Sequence, residues 1–563
     1  MMLRRLIYLS LFGSLLLGSC AKQSSPTGGP RDEDAPTLLE SDPVDQSTSI
    51  RPEKIVLTFD EYVALDNPSK GIVITPKIQK ELVEFSALKN TVTVLLKQEL
   101  EDSTTYVFDF QKSVVDISEK NPAENLKLVF STGPTIDSLY LSGSVRFPFP
   151  EAKEDYKNVL VGIYPALDST NVFTAPPYYI GQVDTLGNFK LSNLKQGAYR
   201  AYAWRDTNGN LKAEFKNEEY DFLPDTLYLD SEEEGISFNL AKADLNPIKI
   251  LRTANFGKNF DVVLNRNTVE TRVTGKGIGE DILYVTGEKR IRFYPKSAQP
   301  DSLALQVSLR DSVGFTKDSL IWAKFPVSER KPEKLDMTAN SGKSFYQELK
   351  MELTFNKPIT QIRFDSLYLA YDSASVLPIR PEMLSFADSS KRDLLRLRMF
   401  LPDAIDADIV TLTATDSTFQ DIEGMYNEKG LAANYRKLKR TTLADGVSGR
   451  IEGASPPFVL QLLNSKQEVA YELNVKESTD FAFSLLEPGT YSLRIIEDKN
   501  GNGIWDPSNY EQRKLAERVF YYVGEEDSRE LIIRGGWTLE DLIIKANPPS
   551  GRRNFSTKAV DNP

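Results

Sequence analysis

The sequence contains no histidine, and its single cysteine stands at position 20 of 563 residues. Without histidine the chain cannot build a Ser-His-Asp triad, a Cys-His pair, a His-ligated haem or an H-E-x-x-H zinc site from its own residues. One cysteine excludes an internal disulfide and a C-x-x-C motif. These absences remove most familiar catalytic centres.

Positive charge is scarce relative to negative charge. The chain has 68 Lys and Arg against 80 Asp and Glu, a formal net charge of -12. Proteins that bind nucleic acids neutralise phosphates with clustered cations, so this balance argues against a nucleic-acid partner. Glycosidases need only a pair of carboxylates, but no pair in this sequence is singled out by its spacing. The sequence therefore predicts a protein without enzymatic activity.

The cysteine follows a short apolar segment. Arg4 and Arg5 precede an apolar run from Leu6 to Leu17, and Gly18-Ser19 then leads to Cys20. Positive, apolar and small-residue parts in this order are typical of an export signal, and the run is too short for a permanent membrane span. The Leu-Gly-Ser-Cys tetrapeptide resembles the bacterial lipobox, in which the signal peptide is cut before a cysteine that is then acylated. The alternative is a buried structural cysteine.

The lipobox resemblance implies a lipoprotein. Residues 1–19 would be the signal peptide, Cys20 would carry fatty acids such as palmitate, and residues 20–35, rich in Ser, Pro, Gly and charge, would form a flexible tether. Acyl chains hold a protein at a membrane with about 0.8 kcal/mol per buried CH2. The expected location is the outer membrane of a Bacteroidota-like bacterium, on its periplasmic face or at the cell surface.

From residue 36 onward, short alternating runs are separated by turn residues, which is typical of all-β domains. Two runs, KIVLTFDEYV and MELTFNKPI, place apolar side chains at every second position, on one face of a strand. These side chains are Ile55, Leu57 and Phe59 in the first run and Met351, Leu353 and Phe355 in the second.

With SDPVDQSTSI upstream and TTYVFDF and LKLVFSTGP downstream, the first run resembles the bacterial Ig-like domain of the S-layer type, often called Big_5. The resemblance covers residues 36–134 and, more loosely, residues 331–440. It implies two β-sandwiches, named here the first and second Ig-like modules.

A second repeat in the sequence aligns more closely than the first. FKLSNLKQGAYRAYAWRDTNGN, from Phe189, aligns without a gap with FAFSLLEPGTYSLRIIEDKNGN, from Phe481. A repeated unit indicates duplicated modules. The pair resembles the carboxypeptidase regulatory-like, or transthyretin-like, β-sandwich, in which a Gly-x-Tyr strand runs into an acidic loop. We name residues 135–242 and 441–540 the first and second repeat modules.

Two segments remain. Residues 243–330, the middle module, contain the predicted strands NFDVVLN, ILYVT and LALQVSL and are interpreted as a divergent β-sandwich. Residues 541–563 are predicted to be a disordered tail, because the stretch KANPPSGRRNFSTKAVDNP has no apolar period. The predicted fold class is all-β, with tandem Ig-like and transthyretin-like β-sandwiches.

The acidic loop of the second repeat module, DKNGNGIWD, has the spacing of a calcium loop. Calcium prefers six to eight oxygen ligands, and alternate Asp and Asn side chains followed by Gly allow them to converge. The predicted ligands are the side chains of Asp498, Asn500, Asn502, Asp506 and Glu511 and the carbonyl of Ile504. The alternative is a plain turn, because Asn and Asp tolerate positive φ.

The first repeat module offers a weaker version of the same loop. Its predicted calcium ligands are Asp206, Asn208, Asn210, Glu214 and Glu219. Leu211 stands where the second loop has Gly503, which removes the residue best suited to the sharp turn. Ca²⁺ is the one cofactor that the sequence suggests. Trp204 and Trp505 lie beside the loops and are predicted to fill cores rather than to stack on sugars.

The sequence thus favours a non-enzymatic outer-membrane lipoprotein that displays tandem β-sandwiches for protein-protein or surface interaction. It would contact the membrane through its lipid anchor and bind a protein partner there. Two alternatives stay open. One is a subunit of an outer-membrane assembly, import or secretion complex, and the other is a glycan-binding or glycan-degrading accessory protein.

Overall fold

The computed structural model describes residues 33–149, 156–402, 404–524 and 528–546. Cys20, the predicted signal peptide, most of the predicted tether and residues 547–563 of the predicted tail lie outside the described residues. Two compact units are present. One comprises residues up to 138 together with 193–195, and the other comprises the remaining residues from 139 onward.

Strands build both units, which confirms the all-β prediction. The helical segments among the described residues are one α-helix, α1 (Pro68–Gly71), and the 3-10 helices Lys80–Leu82, Phe364–Ser366, Pro381–Met383 and Arg440–Thr442. In the part of the chain that is described, no helix has the length and apolar character needed to cross a membrane.

The first Ig-like module forms the first unit. Its strands are β1 (Leu38–Asp42), β2 (Lys54–Phe59), β3 (Val63–Leu65), β4 (Val73–Thr75), β5 (Val83–Leu88), β6 (Thr91–Leu96), β7 (Thr105–Asp109), β8 (Val114–Asp116) and β9 (Lys127–Ser131). They form the sheets β1-β2-β6-β5, β4-β7-β9 and β3-β8. Ile55, Leu57 and Phe59 are fully buried, as the alternation predicts. Each such side chain contributes about 1.5–3 kcal/mol of hydrophobic stabilisation.

The first repeat module has two sheets. Its strands are β10 (Leu139–Arg146), β11 (Val159–Pro165), β12 (Tyr179–Gln182), β13 (Asn188–Leu194), β14 (Gly197–Arg205), β15 (Tyr220–Phe222), β16 (Leu227–Leu229) and β17 (Glu233–Asn239). One sheet has the order β13-β10-β17, and the other has β12-β11-β14-β15 with β16 also paired to β14.

The middle module also has two sheets, β18-β19-β22-β21 and β20-β23-β24. Its strands are β18 (Ile250–Phe256), β19 (Asn259–Leu264), β20 (Glu270–Gly275), β21 (Ile282–Gly287), β22 (Arg290–Pro295), β23 (Gln299–Arg310) and β24 (Thr316–Phe325). The three predicted strands of this segment are confirmed as β19, β21 and β23.

The second Ig-like module repeats the alternation of the first, because Met351, Leu353 and Phe355 of β27 are buried. Its strands are β25 (Met337–Ala339), β26 (Ser344–Phe345), β27 (Glu348–Phe355), β28 (Ile359–Ile362), β29 (Leu367–Ala370), β30 (Val376–Pro378), β31 (Leu384–Phe386), β32 (Leu394–Phe400), β33 (Ile409–Ala414), β34 (Phe419–Asp421) and β35 (Leu431–Lys437). The sheets are β25-β27-β32-β31, β26-β35-β33-β29-β30 and β28-β34.

The second repeat module matches the first strand for strand. Its strands are β36 (Ala444–Glu452), β37 (Phe458–Leu463), β38 (Val469–Val475), β39 (Asp480–Leu486), β40 (Gly489–Glu497), β41 (Val519–Tyr521), β42 (Leu531–Ile533) and β43 (Thr538–Lys545). The sheets are β39-β36-β43 and β38-β37-β40-β41, with β42 also paired to β40. In both repeat modules the last strand pairs in parallel with the first.

This parallel pairing corrects the predicted start of the tail. β43 continues through Lys545, five residues beyond the predicted boundary at 540. The segment lacks a clean alternation because β43 is an edge strand and only Ile544 of its eight residues is buried. Hydrogen bonding to β36, and not an apolar period, keeps these residues in the sheet.

Candidate functional site

Each repeat module carries its acidic loop directly after a nine-residue strand that begins with Gly-x-Tyr, β14 in the first module and β40 in the second. The loops open with Asp206 and Asp498, and both side chains are 3% exposed. A buried carboxylate needs hydrogen-bond donors to offset its desolvation. The backbone of each loop supplies them.

In the second loop, Asp498 organises a turn. Its Oδ1 accepts the N–H of Asn502 at 3.1 Å, and its Oδ2 accepts the N–H of Gly503 at 2.8 Å. The side-chain amides of Asn500 and Asn502 both donate to Oδ2 of Asp506, the latter at 3.2 Å. Four of the six predicted calcium ligands therefore come together.

The other two predicted ligands are placed differently. Ile504 has an exposed side chain, and its N–H donates to Oδ1 of Asn502 at 2.9 Å, which keeps it within the turn. Glu511 is exposed and lies near the first repeat module. Burial raises the pKa of Tyr220 in that module, and the charge of Glu511 raises it further.

A glutamate that the motif does not include closes the second loop. Glu517 is 2% exposed. Its Oε1 accepts the N–H of Lys499 at 2.8 Å, and its Oε2 accepts the N–H of Asp506 at 3.0 Å. Burial and the neighbouring Asp506 and Asp498 carboxylates raise the pKa of Glu517 to about 7.

The first loop begins in the same way. Asp206 accepts N–H groups of Gly209 at 2.8 Å and Asn210 at 3.2 Å through Oδ1, and of Leu211 at 2.8 Å through Oδ2. The amide of Asn208 donates to Glu214 at 2.9 Å. Four of the five predicted ligands thus lie in one turn: Asp206, Asn208, Asn210 and Glu214.

The fifth predicted ligand of the first loop, Glu219, faces elsewhere and pairs with Arg205 at 3.1 Å. Its neighbour Glu218 is fully buried and closes the loop. Oε1 of Glu218 accepts the N–H of Thr207 at 2.8 Å, and Oε2 accepts the N–H of Glu214 at 2.9 Å. Glu218 and Glu517 therefore bridge the same two loop positions, and we call them the clamp glutamates.

The loop backbones match at the position that the calcium spacing assigns to Gly. Gly503 has φ +80°, and Leu211 has φ +60°. A left-handed conformation is favourable for Gly and costs about 1–2 kcal/mol for other residues. The first loop therefore keeps the turn although the sequence has lost the residue that favours it.

The hydrogen bonds explain both loops as turns. Backbone N–H groups occupy the oxygens of the first aspartate and of the clamp glutamate, and Asn amides occupy Asp506. Among residues 33–149, 156–402, 404–524 and 528–546, no group of three or more Asp or Glu side chains is arranged to hold a metal ion. Calcium binding therefore stays a prediction. It would require the Asn side chains to rotate so that their oxygens, and not their N–H groups, face the ion.

The second loop also docks on the first repeat module. Between Asp506 and Glu517 the chain extends outward as residues 507–516, the docking loop. The Tyr510 hydroxyl lies 3.2 Å from the Tyr202 hydroxyl, and the Tyr510 ring packs edge-on against Phe222 and Phe173, with centroids 5.3 and 5.0 Å apart.

A second set of contacts joins the same modules. The Trp505 ring packs edge-on against Phe149 at 4.9 Å, and the Tyr521 hydroxyl donates to the Pro148 carbonyl at 3.2 Å. Trp505 is half-buried and also donates Nε1–H to the carbonyl of Glu517. Trp204 is fully buried in the first repeat module, which confirms its prediction as a core residue.

A separate feature lies on the middle module, where β24 forms an edge of the sheet β20-β23-β24. Ile321, Ala323 and Phe325 of β24 point into the core and are buried. Leu320 and Trp322 point outward and are 59% and 63% exposed. Large apolar side chains on an exposed edge strand are unusual, because such an edge pairs readily with another chain.

Comparison with known families gives one match. Residues 32–132 match the family model described as a bacterial Ig-like domain. This supports the resemblance of the first Ig-like module. A search of curated proteins gave no match.

The chain resembles several solved structures at low overall similarity. Latent PorU from Porphyromonas gingivalis is 9% identical, with a TM-score of 0.22, and the alignment covers 47% of this chain and 34% of that protein. The SGBP-B protein of a Bacteroides ovatus mixed-linkage glucan utilization locus is 11% identical, with a TM-score of 0.17, and the coverage is 62% and 89%. The chain thus spans about a third of the length of PorU.

Proposed function

We propose that this protein is a non-enzymatic lipoprotein of an outer membrane that binds a protein partner through the exposed edge strand β24. The observation that supports a protein partner is the outward pair Leu320 and Trp322. Strand addition to such an edge would supply backbone hydrogen bonds, and the two side chains would supply apolar contact. Trp is also enriched among residues that dominate binding energy at protein interfaces.

The experiment is purification of the full-length protein from its native membrane in mild detergent, followed by identification of the proteins that accompany it. Leu320→Ser and Trp322→Ser together should reduce the recovery of a stable partner at least tenfold. Phe400→Ser is the matched control, because Phe400 is 73% exposed on β32 of another module. Equal recovery from all three proteins would contradict the assignment of β24.

Membrane attachment rests on Cys20. With acylation, the apolar chains would hold the protein at the bilayer. Cys20→Ala should release the protein from the membrane fraction or leave it uncleaved, whereas Cys20-containing protein should partition with membranes. Retention of the mutant in a cleaved form would contradict a lipid anchor.

The same purification also tests the two alternative functions. Integral outer-membrane proteins among the partners would favour a subunit of an assembly, import or secretion complex. A glycan-binding role would need exposed aromatic faces, but Trp204 is buried and Trp505 packs against Phe149. The aromatic residues beside the acidic loops therefore offer no free face for a sugar, and a glycan would have to use exposed rings elsewhere, such as Trp322 and Trp537.

Calcium binding at the second loop is a further part of the proposal. Asp498 and Asp506 would supply charge, while Asn500, Asn502 and the Ile504 carbonyl would supply neutral oxygens. A metal that binds only the folded state raises the unfolding temperature as its concentration increases. The wild-type protein should unfold at a higher temperature in calcium than in chelator, and Asp498→Ala should remove the difference. Identical unfolding of the wild type in both buffers would reduce the motif to a turn.

A further inference from the structure

A lysine and an aspartate are buried against each other in the second Ig-like module. Lys357 follows β27, and Asp421 ends β34. Nζ of Lys357 lies 2.5 Å from Oδ2 of Asp421, and both side chains are fully buried. Glu423, whose side chain is 4% exposed, accepts Nζ–H at 3.2 Å.

The first Ig-like module shows that the fold does not require this lysine. Aligning TFDEYV with TFNKPI places Glu61 at the position of Lys357. Asp116 corresponds to Asp421, because Val63 pairs with Asp116 in one module and Ile359 pairs with Asp421 in the other. The amine is therefore specific to the second Ig-like module.

Asp116 and Asp421 both accept backbone N–H groups of a turn, but they differ in the use of the second carboxylate oxygen. Burial opposes the charge of Asp116, but hydrogen bonds from the N–H groups of Glu119, Asn121 and Lys120 lower its pKa to about 2. These bonds use both of its carboxylate oxygens. Asp421 occupies the equivalent turn position but also contacts the amine of Lys357.

In the second module, Oδ1 of Asp421 alone forms the turn, by accepting N–H groups of Glu423 at 2.8 Å and Met425 at 2.9 Å. Oδ2 is buried, and within the described residues it has no hydrogen bond of acceptable geometry. The amine of Lys357 is thus in close contact with the carboxyl group without hydrogen-bond alignment.

A buried ion pair has a large desolvation cost, which its Coulomb attraction offsets only with good geometry and full hydrogen bonding. Transfer of a proton from Nζ to the carboxylate removes both charges and leaves an amine beside a carboxylic acid. These are the reactants of an amide condensation, held at contact distance by the fold.

We propose that Lys357 and Asp421 form an intramolecular amide crosslink, with Glu423 as the catalytic proton carrier. The Nζ lone pair attacks Cγ of Asp421, and the C–N bond forms. Glu423 takes a proton from the nitrogen and delivers it to the departing hydroxyl group. The C–O bond breaks and one water molecule leaves, so the reaction needs no oxidant or other co-reactant.

Neighbouring groups position the two reactive side chains. Nζ of Lys357 also donates to the carbonyl of Glu333, which directs the amine. Nδ2 of Asn259, in the middle module, donates to Oε1 of Glu423 at 3.1 Å. The carboxylate of Glu333 pairs with Arg292 of the middle module at 3.1 Å. The site is complete only where both modules have folded, so the crosslink would form late and would lock β27 to β34.

The test is tryptic digestion and mass spectrometry of the denatured full-length protein. Trypsin does not cleave before Pro358, so Lys357 lies in peptide 351–363, and Asp421 lies in peptide 399–429. The crosslink predicts one branched peptide that joins these two and is lighter than their sum by one water molecule. Recovery of only the two separate peptides with intact masses from the wild-type protein would show an ion pair and overturn the proposal.

Variants separate catalysis from contact. Glu423→Gln should retain the fold and yield the two linear peptides, with at least a tenfold loss of the branched species. Lys357→Arg should abolish the branched species, because the guanidinium is a poor nucleophile. Glu428→Gln is the matched control in the same peptide, since Glu428 forms an exposed pair with Lys334 and should leave the crosslink intact. A crosslink unaffected by Glu423→Gln would remove the glutamate from the mechanism.

Discussion

The two repeat modules share their strand pairings, yet they close their acidic loops from different distances along the chain. Glu218 follows Glu214 by four positions, whereas Glu517 follows Asp506 by eleven. Both clamp glutamates accept the same pair of backbone N–H groups. A buried hydrogen-bond acceptor therefore closes both loops, although the glutamate that supplies it lies four residues along the chain in one loop and eleven in the other.

The extra chain in the second loop has a structural use. It forms the docking loop, and Tyr510 at its centre enters an aromatic cluster of the first repeat module. Lengthening a surface loop costs little conformational entropy, because closure entropy grows slowly with loop length. The second repeat module thus contacts the first through a longer loop, while the strand pairings of the two modules are the same.

The largest expected effect concerns the clamp glutamates. Glu218→Ala leaves three donors without an acceptor, the N–H and hydroxyl of Thr207 and the N–H of Glu214. Thr207 and Glu214 are exposed residues, so each lost hydrogen bond costs about 1 kcal/mol, and we expect the first loop to lose about 3 kcal/mol,. Glu517→Ala removes the acceptor of two donors, and we expect about 2–3 kcal/mol.

Hydrogen exchange of peptides that cover each loop in the full-length protein measures these losses locally. Glu219→Ala is the control, because Glu219 lies outside the clamp and should change exchange by less than about 1 kcal/mol. Equal effects of the Glu218 and Glu219 substitutions would refute the clamp.

A second prediction concerns the titration of the clamp glutamate in the second loop. Burial, together with two neighbouring carboxylates, raises the pKa of Glu517 to about 7 from an ordinary value of 4.5. Between these pH values the folded state holds a proton that the unfolded state releases. The stabilising contribution of Glu517 is therefore complete below pH 4.5 and is lost as the pH rises through 7,.

We expect the second repeat module to lose on the order of 2 kcal/mol of stability between about pH 5 and pH 8. Thermal unfolding of the wild type and of Glu517→Gln at both pH values tests this, because the amide cannot titrate. The variant should show a smaller decrease. A wild-type unfolding temperature that rises over this pH range relative to the variant would contradict the assigned shift.

A smaller effect is expected from exchanging the residues at the left-handed turn position. Gly503→Leu should destabilise the second loop by about 1 kcal/mol, and Leu211→Gly should stabilise the first by a similar or smaller amount. No atom lies within 4 Å of a Cβ built on Gly503, so steric clash does not contribute. Exchange rates of the loop amides provide the measurement. Changes of the same sign in the two loops would show that backbone strain does not govern this position.

Much of the fold follows from local sequence patterns. Alternation predicted the buried faces of β2 and β27, and the gapless repeat predicted two modules that have matching strands. Asp206 and Asp498 were found because calcium loops and Asx turns use the same short spacing. The sequence alone did not predict the clamp glutamates, since Glu517 lies 19 positions after Asp498 and only the packed loop brings it back.

Contacts between residues far apart in the chain were also beyond sequence reasoning. Tyr510 resembles any tyrosine in a polar loop, and Lys357 resembles any lysine after a strand. Their roles depend on partners far along the chain, Tyr202 and Asp421, which no local period reveals. The strand β43 was missed for a related reason, because hydrogen bonds to β36 hold it and apolar alternation does not.

The most direct test of the docked repeat pair is a double-mutant cycle on the Tyr202 and Tyr510 hydroxyls. Burial raises the pKa of Tyr202, and its hydrogen bond with Tyr510 raises it further. Tyr202→Phe and Tyr510→Phe retain the rings and remove the hydrogen bond alone. The two changes should couple by about 0.5–1 kcal/mol in unfolding free energy, the usual net value of a hydrogen bond.

The matched control pairs Tyr510→Phe with Tyr164→Phe, because the Tyr164 hydroxyl donates to the Ala175 carbonyl at 2.6 Å and not to Tyr510. We expect additive effects for this control and clear coupling for Tyr202 with Tyr510. Additive effects in both cycles would contradict the hydrogen bond between the Tyr202 and Tyr510 hydroxyls that joins the second repeat module to the first.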